Sequence, residues 1–175
     1  MKPLAIRKTT ARDAWLATRI IRHAPRASGV ALRTVIEARR NGLAISEACA
    51  LIEHESGWRN IMGCDKGGPY CHQRVTKAKV LHLVRHVLNG GTSNGVGHGQ
   101  LTWIGYIQEA NRDGGAWVPR VNIATALKIM GGHKRRHGWK RGLAVYNAGH
   151  PSSLHGQAYA RRVDALKKTW HNRLA

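Results

Sequence analysis

The chain has 175 residues, with 29 Lys and Arg against nine Asp and Glu and a formal net charge of +20. That length suits one globular domain plus an extension and excludes two full domains, and no run approaches the roughly 18 apolar residues of a membrane span. The charge is spread over small clusters, "ARR" at 38–40, "HKRR" at 133–136 and "ARR" at 160–162, which implies either a solvated basic surface or attraction to a polyanion: nucleic acid, an anionic wall polymer or anionic lipid.

In chain order, the opening "MKPLAIRKTTARDAWLATRIIRH" is interrupted by Arg, Lys and Asp before an apolar core can form, so it does not read as a usual secretory signal. Apolar periodicity predicts basic amphipathic helices over residues 10–23 and 30–40, parted by "APRASG". Residues 1–40 are therefore expected to be a basic helical N-terminal extension ahead of a domain spanning 41–175. Further helices are predicted over 44–56 and over 76–88, the latter ending at "NGG". A glycine-rich loop follows, "GTSNGVGHGQLTW", without apolar periodicity. Three more stripes close the chain: Ile123, Leu127 and Met130; Trp139, Leu143 and Tyr146; then Tyr159, Val163, Leu166 and Trp170. The fold class is all-α, with one or two long functional loops and no repeats.

Three cysteines cannot make a disulfide framework. Cys49 reads as a small buried residue of its apolar helix. Cys64 and Cys71 bracket "DKGGPY", and two free thiols are the first expectation, with a disulfide second. His72 and Asp65 stand beside them, but the spacing matches no zinc pattern, so no metal or other cofactor is expected.

The stretch "ALIEHESGW" carries two of the nine acids. Ala44, Ala48, Leu51, Ile52 and Glu55 share one helix face, whereas Glu53, about 200 degrees away, points to solvent. Glu55 therefore sits on an apolar face near a helix C-terminus, before Gly57, the expected cap. Desolvation and the negative end of the helix dipole both raise its pKa. A carboxyl still protonated near neutral pH is what acid-catalysed glycoside cleavage requires. The competing structural role is an ion pair with Arg59 that anchors the helix.

These segments also carry a resemblance. "ALIEHESGW" resembles the segment bearing the catalytic glutamate in goose-type lysozymes and soluble lytic transglycosylases. "GVGHGQLTW" resembles their glycine-rich cleft loop, "LAVYNAG" their Ala-x-x-Tyr-Asn-x-Gly motif, and "AYARRV" their closing helix. The four occur in the family's order and cover about residues 44–166. Together with "DGGAWVPRVNIATAL", the loop is similar to glycosidase domains of endolysins from phages of actinobacteria. The resemblance implies a lysozyme-like fold with Glu55 as catalytic acid and base and Ser56 as a polar helper. It puts Gly97 and Gln100 in the cleft loop and Tyr146 and Asn147 on the facing wall, with the Tyr146 phenol able to orient Glu55. His98 and Gly99 stand where the family usually has leucine and methionine, so His98 is expected to offer a polar sugar contact instead.

The function expected from this is cleavage of the β-1,4 bond between N-acetylmuramic acid and N-acetylglucosamine. A lytic transglycosylase is favoured over a muramidase, because Asp65, Glu109 and Asp113, the acids within reach of a cleft, match no catalytic motif. The implied partner is the peptidoglycan glycan strand, with anionic wall polymer or membrane surface attracting the basic charge, and a monomer needing no protein partner. An endolysin without a signal peptide would be made in the host cytoplasm and reach the wall through a holin-type lesion. The competing function is a basic helical nucleic-acid-binding module, using residues 10–40 as contact element and Glu55 as a salt-bridge partner.

Overall fold

The computed structural model describes residues 9–175, and these form an all-α protein in which eight helices are joined by turns and two long loops. The helices are α1 (Ala11–His23), α2 (Ala31–Arg40), α3 (Ile45–Ser56), α4 (Lys77–Leu88), α5 (Ile104–Arg112), α6 (Pro119–His137), α7 (Trp139–Ala148) and α8 (Leu154–Leu174), with a short 3₁₀ turn at Pro25–Ala27. Among the described residues there is no strand, only isolated bridges pairing Ile61 with Arg74, Met62 with Val96 and Val96 with Leu101. No described helix is long and apolar enough to cross a membrane.

Helix α3 is the hub. Ala48, Cys49, Ala50, Leu51 and Ile52 are all fully buried, so the helix is covered on nearly every side, by α2 and α8 among others. Its N-terminus is closed by Glu47, whose carboxylate accepts from the Ala44 N–H at 2.8 Å and pairs with Lys134 of α6 at 2.6 Å. Gly57 ends it in the left-handed conformation (φ +55°), and Trp58 continues left-handed (φ +64°), turning the chain sharply just past Glu55.

Of the expected N-terminal appendage, residues 1–8 lie outside the described residues, and the described part, 9–40, belongs to this core. Leu16, Ala17 and Ile20 of α1, Ala27, and Val30, Ala31, Val35 and Ala38 around α2 lie in one apolar cluster with α3, α6, α7 and α8. The physical reason is the apolar stripe, which leaves Arg and Lys outside while Ile20 is fully buried. Thr10 and Asp13 form a capping box at the start of α1, and Asp13 also pairs with Arg39, tying α1 to α2.

A second cluster gathers Met62, Val75, Val80, Leu83, Val96, Leu101, Ile107 and Ala110 from α4, α5 and the two loops. Helix α6 divides the two: Ile123, Leu127 and Met130 enter the first, Ala126 and Ile129 the second. Tyr146 packs against both. A cleft opens between the lobes, and α3 ends at it.

The loops that wall this cleft are held by buried amides. Asn94 donates to the Gly63 and Tyr70 carbonyls and accepts from the Tyr70 N–H; Asn122 donates to Val96 and Ala116 and accepts from the Gly99 N–H. Both are fully buried, so each satisfies backbone groups that a loop would otherwise leave unpaired. Cys64 and Cys71 are joined in a disulfide, in place of the two thiols expected; a turn-rich segment brings them together, which spacing alone did not decide. Cys49 is the buried free thiol.

Candidate active site

Glu55 stands in the last turn of α3 and faces a cleft of about 940 Å³, whose walls include Asp65, Gln100, Trp103, Tyr106, Tyr146 and Asn147. The carboxyl is half-buried, open toward the cleft and crowded by protein elsewhere. Its Oε1 accepts a hydrogen bond from the Tyr159 hydroxyl of α8. Burial pushes its pKa up to about 7, the Tyr159 hydrogen bond opposes that rise, and the negative charge of Asp65 adds to it.

The protein has cations to spare, yet none is placed on Glu55. Asp13, Glu37, Glu47, Glu53, Glu109 and Asp164 are each ion-paired. Glu55, Asp65 and Asp113 have no such partner among the described residues, and two of these three share the one cleft. The expected alternative of a Glu55–Arg59 pair is not formed; Arg59 Nε donates to the Ser56 carbonyl at 3.1 Å.

Several residues named from the sequence take other places. Tyr146 lines the cleft, but its hydroxyl donates to the Gly99 carbonyl at 2.6 Å, and Tyr159 is the phenol that orients Glu55. Ser56 is buried, its hydroxyl donating to the Ile52 carbonyl at 3.2 Å within its own helix, because one further residue turns it about 100 degrees away from Glu55. Gly97 is buried and left-handed (φ +74°), and a Cβ there would strike Asn122; it serves loop packing, not approach to a sugar. His98 is buried behind the loop, and desolvation lowers its pKa to about 4, so it does not offer a sugar contact. Glu53 is not simply solvated, since it accepts from the Trp170 indole N–H and pairs with Arg173 at 3.5 Å.

Gln100 and Asn147 do line the cleft. The Gln100 Nε2 braces the loop, donating to Gly97 and Ile61 carbonyls at 2.7 and 3.1 Å, from a left-handed backbone (φ +47°). Asn147 is exposed, and its amide has no partner among the described residues, leaving it free for a ligand. Asp65 is fixed by the Gly95 N–H, which donates to its Oδ2 at 2.8 Å. Glu109, paired with Lys128 at 2.5 Å, and Asp113 at the end of α5 lie outside the cleft lining.

The arrangement offers a carboxyl whose pKa of about 7 leaves a large protonated fraction at neutral pH, a second carboxyl group in the same cleft, and hydrogen-bonding groups and aromatic surface on the walls. Such a set of groups is chemically able to give and take a proton. Sequence reasoning missed Tyr159 as a site residue, although it lies in "AYARRV", and missed Trp103, Tyr106 and His133 on the cleft walls. No protein-family model, curated protein or solved structure matches the chain.

Proposed function

We propose that the protein is an endolysin-like peptidoglycan glycosidase with a lysozyme-like fold, cutting the β-1,4 bond between N-acetylmuramic acid and N-acetylglucosamine with Glu55 as general acid. The observation that carries this reading is a cleft-facing glutamic acid without a cationic partner, with a pKa of about 7. In the reaction Glu55 gives its proton to the glycosidic oxygen, and the bond from that oxygen to the muramic C1 breaks. Positive charge then develops on the sugar ring, where the newly formed Glu55 carboxylate and Asp65 stabilise it.

Asp65 bears on the second half of the reaction. Its carboxylate shares the cleft, is held in place by Gly95 and acts electrostatically on Glu55. It can take a proton from water as that water adds to C1, which yields a reducing end and makes the enzyme a muramidase. The second reading, favoured by the sequence, uses Glu55 alone: the carboxylate takes the proton of the muramic C6 hydroxyl and O6 closes onto C1, giving a 1,6-anhydro product. Digestion of purified peptidoglycan, with mass analysis of the fragments, separates the two by one water.

The Cys64–Cys71 disulfide suits action at the wall, outside the reducing cytoplasm, after release through a holin-type lesion. The +20 charge suits attraction to anionic wall polymers. The nucleic-acid reading draws no support from α1 and α2, whose apolar faces are committed to the core.

A further inference from the structure

Trp103 is the most exposed of the large apolar residues on the cleft wall, at 62 %. Exposure alone would be ordinary, but here the indole lies on the wall of a concave cleft among polar groups, the setting of a ligand contact. Its position is built. Trp103 is the N-cap residue of α5, and its six-membered ring lies across Gly105, so closely that a Cβ on residue 105 would overlap it. Tyr106 meets it edge-on, with ring centroids 4.7 Å apart at 80°. One side of the indole is therefore backed by α5, and the rest faces the cleft that holds Glu55.

The indole is also kept clear of charge. Trp15, Trp117, Trp139 and Trp170 each carry an Arg or Lys over the ring, at 5.4, 5.6, 5.6 and 5.0 Å. Trp58, which is buried, and Trp103 have no such cation among the described residues, so Trp103 is the exposed indole without one. A bare, braced aromatic face suits a flat ring face that carries no charge at the point of contact. The rings of a β-1,4-linked N-acetylhexosamine chain carry their substituents equatorially, so each presents an apolar C–H face with polar groups only at its rim. Such a face stacks on an indole through dispersion and apolar burial, while rim groups reach polar wall residues such as Asn147.

We propose that Trp103, braced by Tyr106 and seated on Gly105, is a stacking platform for one pyranose ring of the glycan strand and sets affinity for the strand more than the rate of bond cleavage. This rests on the glycosidase reading of the Glu55 cleft.

The test is calorimetric titration of the Glu55→Gln protein, which binds without turnover, with soluble peptide-free glycan strands, and with free stem peptide as a control. Adding Trp103→Ala should weaken strand binding by about tenfold, equivalent to ~1.4 kcal/mol, while Trp103→Phe stays within about threefold of the parent. Gly105→Ala, which leaves the indole intact but displaces it, should fall between them. In the Glu55-intact protein, Trp103→Ala should raise KM far more than it lowers kcat. Strand binding unchanged by Trp103→Ala overturns the platform and leaves the glycosidase reading standing. A parent that binds the stem peptide but no glycan overturns both.

Discussion

The Tyr159 hydroxyl donates its hydrogen bond to Glu55 Oε1, joining the last turn of α3 to α8 across 104 positions of sequence. The bond does two things at once: it fixes the direction of the carboxyl, and it stabilises the ionised form against the burial that favours the neutral one. Tyr159 thereby tunes the acid down to about 7, where it can both give and take a proton.

Tyr159→Phe should therefore raise the Glu55 pKa further and move the alkaline limb of the pH–kcat/KM profile upward. The rate should fall roughly 10- to 100-fold, the scale of one hydrogen bond to a charged group, ~1.5–3 kcal/mol. An unmoved alkaline limb would show that Tyr159 only packs.

Glu55→Gln should make the protein more stable at neutral pH. A carboxyl whose folded pKa lies above its unfolded value contributes no penalty below pH 4.5, where both states are protonated, and a full penalty above about 7, where both are ionised. The wild type thus loses stability relative to the variant as pH rises through that window, by on the order of 3 kcal/mol for a shift of this size. Thermal unfolding at pH 4 and pH 8 checks this. Equal differences between the two proteins at both pH values would contradict the raised pKa.

Asp65→Asn should lower activity by about 10²-fold or more if Asp65 activates water, since losing a general base has that scale. The substituted amide keeps an oxygen that can still accept the Gly95 N–H, so the loop should keep its place. Retained activity with anhydro-capped products would instead assign both proton transfers to Glu55.

Deleting residues 1–25 should unfold the protein and not merely weaken its attraction to walls. The deletion removes Leu16, Ala17 and Ile20 from the main core and the Asp13–Arg39 pair with them. Burial of each large apolar side chain contributes about 1.5–3 kcal/mol, so the loss rivals a domain's net stability. A cooperative thermal transition in the truncated protein would contradict this.

The limits of α1 to α4 were legible in the apolar periodicity and, for α3, in Gly57, each falling within a residue of the observed one; the structure adds Thr10 and Thr76 as the caps that fix the starts of α1 and α4. Helix α5 was not legible, since it buries only Ile107 and Ala110 and leaves a sparse stripe. The phase of α3 put Glu53 in solvent, but Trp170 and Arg173 of α8 reach it, so that both carboxyl groups are met by the same helix that periodicity could not place. Choosing between Tyr146 and Tyr159 needed the relative rotation of α7 and α8, which periodicity does not contain. Asp65 could be named but not placed, because its position depends on a disulfide-closed loop and on a backbone contact 30 positions away.

The central claim is that Glu55 supplies the proton that breaks a glycan bond. Its most direct test is digestion of purified peptidoglycan by the wild type and by Glu55→Gln, with mass analysis of the released fragments. The wild type should release disaccharide muropeptides, with reducing or 1,6-anhydro ends, and Glu55→Gln, correctly folded, should release less than about one per cent of that amount, in keeping with the 10²- to 10⁴-fold worth of a general acid. Comparable release by both proteins, or no glycan fragments from the wild type, would contradict the claim.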